Sequence, residues 1–262
     1  MVAKALAWSP AKISRYELGQ TSFPLEEVGR LLDYYEVTEP RRSLLLSLAA
    51  DAHERGWWQD YADVLHAGYM EFIGLEAEAV SSAEWQTESV PGLLQTEDYA
   101  REVIRAYQGV VRIPPGHVER RTRVRMIRQQ VLTQRDPPLQ LSAVMDESVL
   151  LRKVGTREVM FAQLQHLARI AELPNIELRI LPLQRETSLM ADPFIVLGFG
   201  DQHESSEIGD VVSTESQSTE LYIEGERDTY LYRLIFQAFV DASLPPGQSG
   251  ELMLDTARRV WR

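Results

Sequence analysis

The sequence predicts an α+β protein in which a small all-helical segment precedes a mixed domain of helices and strands. Two observations support this fold class. Up to residue 56 the apolar side chains recur with helical spacing. From residue 139 onward, short alternating apolar runs typical of strands are interleaved with amphipathic helices. We therefore place the two domains at residues 1–56 and 57–262.

The composition is that of a globular protein and excludes several classes. The 262 residues include 39 acidic and 27 basic side chains, a net charge of −12, and no cysteine. The lack of cysteine excludes a disulfide scaffold, a cysteine nucleophile and a thiolate zinc site. No run approaches the roughly 20 apolar residues of a membrane helix, and the start has no signal-peptide pattern. We therefore expect a cytoplasmic protein that does not contact a membrane.

The first domain is predicted to consist of short helices. Val2, Ala5 and Leu6 share one helical face. Ser9-Pro10 opens a second helix, because serine is a favoured N-cap and proline is tolerated at the first helical position; Gly19 is expected to end it. A third helix begins at Pro24 and a fourth covers residues 38–56. Their predicted apolar faces are Leu25, Val28, Leu31 and Leu32, and Leu44, Leu45, Leu48, Ala49 and Ala52.

The second domain is predicted to begin with helices and to continue with strands. Residues 69–106 read as mostly helical with an interruption at 90–92, and residues 118–133 as a basic helix. The later elements are strands at 139–145, 176–180, 194–199, 210–215 and 220–223, and helices at 156–172 and 227–243. The tail after Pro246 is expected to be loosely attached up to a last helix at 252–261.

The strongest functional pattern runs from Ala7 to Gly19. A short helix, a tight turn and a capped second helix are the parts of a helix-turn-helix. The second helix, residues 9–18, would bury Ile13 and Tyr16 and present its other face to DNA. The predicted DNA-facing residues are Ser9, Ala11, Lys12, Ser14 and Arg15.

These residue types suit the major groove. Arg15 can make a bidentate contact to guanine, whereas Lys12 can neutralise a phosphate and Ser9 can donate to one. The small side chain of Ala11 allows close approach. The first 20 residues are net basic inside an acidic chain, which agrees with a DNA-facing segment.

Two sets of motifs resemble known families. Ser9-Pro10-Ala11-Lys12-Ile13-Ser14-Arg15, followed by Pro24 and by Leu31-Leu32-Asp33-Tyr34-Tyr35, resembles the helix-turn-helix of XRE-type, lambda-repressor-like regulators. Arg55-Gly56-Trp57-Trp58 and Pro91-Gly92-Leu93-Leu94-Gln95-Thr96 resemble the DUF5753 domain of actinobacterial, Scr1-family antitoxin-like transcriptional regulators. The resemblance implies sequence-specific binding to an operator in double-stranded DNA, a homodimer, and a small neighbouring partner of the DUF397 type.

The resemblance also bears on the start of the chain. An XRE-type domain has further helical residues before the position that Met1 occupies here. We therefore expect the sequence to start inside the first helix of the motif. Either Met1 is an internal methionine of a longer protein, or the domain is truncated and has lost DNA affinity.

The most basic stretch has two readings. Arg120, Arg121, Arg123, Arg125 and Arg128 could form a second nucleic-acid surface, because such charges release counterions from phosphates. Alternatively, they could pair with the acidic stretch 201–228, in the same chain or in a partner, and we favour this second reading.

Clustered aromatic and apolar residues are expected to serve mainly as core. Trp57, Trp58, Tyr61, Tyr69 and Phe72 could line a ligand pocket, but aromatic side chains bury large areas and are more often packing. Pro91-Gly92-Leu93-Leu94 is best explained as a helix-entry turn with two core leucines, and otherwise as a partner groove.

Catalytic patterns are weak. The five histidines, His53, His66, His117, His166 and His203, form no metal-binding pair on a helix. Asp146-Glu147 follows a strand and could do acid–base work, but such carboxylates are usually caps. His203-Glu204 could bind a metal ion. We expect neither pair to act in this way, and we predict that the protein is not an enzyme and holds no cofactor and no metal ion.

Two functions follow from these observations. The first is a sequence-specific transcriptional regulator that reads the major groove with the helix at 9–18. The alternative is a protein-interaction module that binds and restrains a small DUF397-like partner, with DNA binding weakened or lost because the first helix is missing.

Overall fold

The computed structural model describes residues 2–17, 23–51, 56–110, 113–185, 189–200, 209–215 and 220–262. The chain divides into two compact units, Met1–Gln59 and Asp60–Arg262. Elements of regular structure in the described part of the first unit are all helical, and the second unit contains a mixed sheet. The predicted α+β class, with a helical segment first, is therefore confirmed.

The first unit forms the helices that the apolar spacing predicts. In its described part they are α1 Val2–Ala5, α2 Pro10–Glu17, α3 Leu25–Tyr34 and α4 Arg41–Asp51. Proline takes the first position of α2, as the sequence indicates. The predicted stop at Gly19 and the contribution of Ala52 lie outside the described residues.

Two leucines assigned to the apolar faces of this unit are exposed. Leu32 is buried on α3, but Leu25, the first residue of that helix, faces solvent. Leu44 of α4 is exposed as well, whereas Leu45 is half-buried. Consecutive helical residues point about 100° apart, so the run Leu44 to Leu46 cannot face the core with every side chain.

The second unit is built on a mixed sheet. Its described strands are β1 Ser81–Gln86, β2 Gln140–Asp146, β3 Ile176–Leu181, β4 Phe194–Gly198, β5 Val211–Glu215 and β6 Glu220–Glu224. Their order is β3-β2-β1-β4-β5-β6. The first three strands are parallel to one another, and β4, β5 and β6 continue the sheet in antiparallel pairs.

Helices cover the two faces of this sheet. In chain order they are α5 Ala67–Glu78, α6 Glu97–Ala106, α7 Pro115–Arg128, α8 Ser148–Leu151, α9 Arg157–Ile170, α10 Glu226–Ala242 and α11 Pro246–Thr256, which continues as a π-turn at Ala257–Trp261. Within the described ranges, none of the helices combines the length and the apolar content needed to cross a bilayer.

Strand alternation produces a separate core on each face. Leu141, Ala143 and Met145 of β2 join the larger core, to which α9 and α11 contribute. Val144 lies between them in sequence but points to the smaller core, where Phe236 and Phe239 of α10 pack. Successive side chains of a strand point to opposite faces, and this alternation is the pattern from which the strand at 139–145 was predicted. The structure confirms that strand.

One prediction for this unit was wrong. Residues 69–106 were expected to be mostly helical with an interruption at 90–92, but β1 lies among them and pairs with β2 and β4 near the middle of the sheet. The buried residues of β1 include Ser82 and Glu84 beside Trp85. Because polar side chains occupy one of its buried faces, the apolar alternation that identifies a strand is missing.

The prediction for the C-terminal tail was also wrong. The tail was expected to be loosely attached before residue 252, but α11 begins at Pro246 and packs against α9 and β3. Ser249 is fully buried, and its hydroxyl accepts a hydrogen bond from the backbone N–H of Ile180. Trp261 is buried too, and its Nε1 donates to the carbonyl of Leu150.

Candidate nucleic-acid interface

The turn between α1 and α2 is short and hydrogen-bonded. The N–H of Leu6 donates to Val2 and that of Trp8 to Ala3, which closes the end of α1. Ala7 lies between them with φ 55, in the left-handed region. The hydroxyl of Ser9 then accepts from the N–H of Lys12 at 3.1 Å and caps α2. This local arrangement matches the predicted helix, tight turn and capped helix.

The side chains of α2 divide between two environments. Ile13 and Tyr16 are half-buried, whereas the predicted DNA-facing residues Ser9, Ala11, Ser14 and Arg15 are exposed. An aromatic cluster supports the inner side: the Tyr16 ring lies 4.0 Å from that of Phe23 and 6.0 Å from that of Trp8. A polar surface therefore lies opposite a packed one, as a recognition helix requires.

Arg15 is placed to reach a ligand. Its Nε donates to the carbonyl of Ala11 in the same helix at 3.3 Å. The side chain is exposed, and the structure gives its terminal nitrogens no partner among the described residues. A guanidinium held in this way can offer two parallel donors to a guanine edge.

Lys12 differs from the other four residues, because it is engaged within the protein. Its ammonium lies 2.5 Å from Glu27 of α3, and the hydroxyl of Tyr16 donates to the other oxygen of the same carboxylate. The hydrogen bonds from Lys12 and Tyr16 hold the pKa of Glu27 below its usual range. The ammonium also lies 5.1 Å from the Trp8 ring centre. Lys12 therefore joins α2 to α3, and a phosphate would have to compete with Glu27 for it.

Sequence reasoning missed Glu27 and Arg30 on α3. Arg30 donates to the carbonyl of Leu6 at 2.8 Å, and its guanidinium lies 5.7 Å from the Trp8 ring. It therefore satisfies a carbonyl at the end of α1 and helps to position the turn. The helical spacing of Glu27 and Arg30 gives no indication of these partners, which lie 15 and 24 residues away.

Replacing Ala7 by glycine is expected to stabilise this turn. A left-handed conformation costs an L-residue roughly 1–2 kcal/mol, whereas the added chain freedom of glycine costs roughly 0.5–1 kcal/mol. The net gain for Ala7→Gly should be about 0.5–1 kcal/mol, measured as slower amide hydrogen exchange in α1 and α2 of the whole chain. Ala5→Gly, within α1, should change exchange in the opposite direction. Faster exchange in Ala7→Gly would contradict the prediction.

Four of the five arginines in the basic stretch of α7 contact their own unit, and Arg123 is exposed. Arg120 pairs with Asp63 and also donates to the carbonyl of Asp60. Arg121 donates to the carbonyl of Val64, and Arg125 to the side chain of Gln95. Within the described part of the chain, the ion pairs of α7 join Arg120 to Asp63, Arg128 to Glu76 and Glu119 to Arg101. The expected pairing with residues 201–228 is not among these contacts, and 201–208 and 216–219 lie outside the described residues.

A buried polar cluster in the second unit was not foreseen. Arg128 makes two hydrogen bonds to Glu76, of 2.8 and 2.7 Å, and donates to the hydroxyl of Tyr69. Burial opposes the charge of Arg128, but Glu76 and Tyr69 outweigh it and raise its pKa. Glu84 is also buried; desolvation and the negative charge of Glu76 raise its pKa to about 7.

The clustered aromatic and apolar residues singled out from the sequence are buried or half-buried in their own units. Tyr69 packs against the larger core and Phe72 is part of it, whereas Trp57 and Trp58 are half-buried and make an edge contact. Leu93 and Leu94 are buried in a short 3-10 turn, as expected of a helix entry.

The carboxylates at the end of β2 accept hydrogen bonds from nearby backbone N–H groups. Asp146 accepts from the N–H of Ser148, and Glu147 accepts from that of Leu183. His203-Glu204 and His53 lie outside the described residues. Across the residues that the structure does describe, no three histidine or carboxylate side chains are grouped so as to hold a metal ion.

A capped helix with an exposed polar face, set on an aromatic cluster after a tight turn, defines a helix-turn-helix protein. A family model described as a helix-turn-helix domain matches residues 1–45, so the chain carries this DNA-binding domain. A second model, described as a domain of unknown function (DUF5753), matches residues 69–255. The chain belongs to the DUF5753 family. No curated protein and no solved structure matches it.

Proposed function

We propose that this protein is a sequence-specific transcriptional regulator of the XRE type that reads the major groove of an operator with α2. The observation that carries the proposal is the exposed face of α2, on which Ser14 and the terminal nitrogens of Arg15 have no partner among the described residues. The turn and the cluster of Trp8, Tyr16 and Phe23 hold this face in place.

Each exposed side chain has a role in this proposal. Arg15 reads a guanine through two donors. Ser9 and the N-terminal backbone of α2 contact phosphates, and such contacts position a protein without reading sequence. Ala11 lets the helix approach the bases, and Ser14 offers a hydroxyl beside Arg15. Lys12 holds α2 against α3 and contributes to DNA binding only if it leaves Glu27.

Arg15→Ala is expected to weaken operator binding by about 1–3 kcal/mol and to relax the preference at one base pair. The operator would first be selected from random-sequence duplex DNA with the whole chain. Affinities for the operator and for single-base variants would then be measured over a range of salt concentrations.

Two matched variants sharpen this test. Lys4→Ala removes an exposed positive charge from α1 and should leave base preference unchanged. Lys12→Ala should weaken binding to all sequences and lower the salt slope by about one if Lys12 reaches a phosphate; the ion pair with Glu27 predicts a smaller change. Equal operator binding by the wild type and by a variant lacking both Lys12 and Arg15 would overturn the assignment of α2.

The assembly and partners implied by the family resemblance belong to the same proposal. A homodimer would bind a two-fold symmetric operator, because the half-sites of such sites mirror the symmetry of the protein. The selected operator should therefore contain an inverted repeat. A single asymmetric site bound by one chain would contradict this part.

A protein-interaction role remains the second candidate. An antitoxin-like regulator would use its second unit to restrain a small DUF397-like protein. The large apolar side chains on the outer face of α10, namely Tyr230, Leu231 and Leu234, favour some protein contact by this unit. Purification of the endogenous protein that yields no stoichiometric small companion would count against this role. In both hypotheses the protein acts by binding rather than by catalysis.

A further inference from the structure

The outer face of α10 is unusually apolar for a helix that already buries its inner face. Thr229, Phe236 and Phe239 point inward, the two phenylalanines into the smaller core. On the opposite side, Tyr230, Leu231 and Leu234 are 60%, 53% and 49% exposed. Contiguous exposed side chains of this kind mark interaction sites.

The exposed residues form one stripe. At 3.6 residues per turn, its members lie within about 60° of the direction of Leu234. They are Arg227, Tyr230, Leu231, Leu234, Gln237, Ala238 and Asp241, and each is exposed. We call this set the α10 stripe. It extends along most of the 17-residue helix, which is about 25 Å long.

The charges of the α10 stripe are arranged antisymmetrically about its centre. Arg227 lies seven residues before Leu234, and Asp241 lies seven residues after it. In a two-fold antiparallel pair centred on Leu234, the Arg227 of each copy would therefore meet the Asp241 of the other. A parallel pair would instead place like charges together, which is destabilising.

The side-chain sizes are complementary in the same arrangement. Tyr230 lies four residues before the centre and Ala238 four residues after it, so a large ring would face a small side chain at two places. Leu234 would face its own copy on the two-fold axis. Alternation of large and small side chains lets two helices interdigitate at the usual distance of about 8–10 Å between their axes.

The neighbouring strand extends the apolar area. Leu221 of β6 is 57% exposed. Leu221 lies two residues before Ile223 on the same strand, so the two side chains lie on the same face of the sheet. Because Ile223 packs in the core beneath α10, Leu221 lies on the α10 side of the sheet. Leu221 therefore adds one more exposed apolar side chain on the α10 side of the sheet.

From these observations we propose that the α10 stripe is the surface on which two copies of this chain pair, antiparallel and centred on Leu234. The inference deepens the homodimer of the proposed function by naming its surface. It can be tested without DNA, so its outcome is independent of operator binding.

Charge exchange tests the orientation in the whole protein. Arg227→Asp and Asp241→Arg each create two like-charge contacts across the pair, and each should weaken self-association by about tenfold or more in sedimentation velocity. The double variant R227D/D241R restores opposite charges and should return to the wild-type dissociation constant. A double variant as weak as the two single variants would overturn the antiparallel register.

A cysteine at the centre tests the contact directly. Because the chain has no cysteine, Leu234→Cys would introduce a single thiol that meets its own copy on the two-fold axis. Mild oxidation should convert it to a disulfide-linked dimer, whereas Leu254→Cys, on the exposed side of α11, should remain monomeric on a denaturing gel. Equal cross-linking of both variants would overturn the proposal.

Leu234→Asp separates the surface from dimerisation in general. This exposed substitution should leave the far-ultraviolet circular dichroism unchanged and convert the protein to a monomer. A folded Leu234→Asp variant that remains a dimer would overturn this surface while keeping the homodimer. A wild-type protein that is monomeric at every concentration measured would overturn both, and a small companion would then be the occupant to seek.

Discussion

Removal of either member of the Glu76–Arg128 pair should lower the free energy of unfolding by about 3–5 kcal/mol, because the remaining charge would be buried without a partner. The side chains of Arg128 and Glu76 are only 6% and 2% exposed. Arg128 also interacts with two rings, since its guanidinium lies 5.1 Å from Tyr69 and 5.0 Å from Phe72. Urea unfolding of Glu76→Ala and Arg128→Ala measures the loss.

A surface pair supplies the matched control. Arg120 pairs with Asp63 where both side chains are substantially exposed. Arg120→Ala should therefore change the free energy of unfolding by only about 0–1 kcal/mol. The double variant Glu76→Leu with Arg128→Met should recover stability relative to either single alanine variant, because it leaves neither charge behind. Equal losses from Arg120→Ala and Arg128→Ala would contradict the assignment.

The second large effect concerns pH and Glu84. This carboxyl lies on β1, 2% exposed, and its near neighbours include the Ser82 hydroxyl, which donates to it at 3.2 Å. Burial and the charge of Glu76 raise its pKa from 4.5 to about 7, against the opposing effects of Arg128, Ser82 and Gln86. Between these two pH values the folded protein keeps a proton that the unfolded chain releases.

Stability should therefore fall as pH rises through this window. The contribution of Glu84 changes by about 3 kcal/mol between pH 4.5 and about 7, and levels off above the folded pKa. The difference in unfolding free energy between wild type and Glu84→Gln isolates this contribution from that of other groups. We expect the unfolding free energy of Glu84→Gln to rise relative to that of the wild type as pH rises. A difference between the two that does not vary with pH would refute the prediction.

Glu158 provides a control of opposite sign. It lies in the first turn of α9, where a hydrogen bond from the Thr156 side chain holds its pKa below the usual range. Its stabilising contribution is present above the unfolded pKa and is lost as pH falls through the folded pKa. The advantage of the wild type over Glu158→Gln should therefore grow with rising pH, whereas its advantage over Glu84→Gln should shrink.

The candidate site was largely predictable because its determinants are local. The cap at Ser9, proline at the first position of α2, and the half-buried spacing of Ile13 and Tyr16 depend on residues within a few positions of one another. Lys12 was predicted to face DNA with the rest of the exposed face. Its pairing with Glu27 depends on the packing of α3 against α2 and has no local signature.

The fold shows the same division. Caps at Thr96 and Thr156, and strands with apolar alternation such as β2 and β3, follow from backbone periodicity and short-range hydrogen bonds. The sequence alone therefore determined most helices and strands, and which face of α2 is polar. Only the tertiary structure decided that Ser82 and Glu84 occupy a strand in the sheet interior, and that Glu76 meets Arg128 across 52 residues. The physical reason is that burial and ion pairing depend on partners brought together through space, which the periodicity of a single segment does not encode.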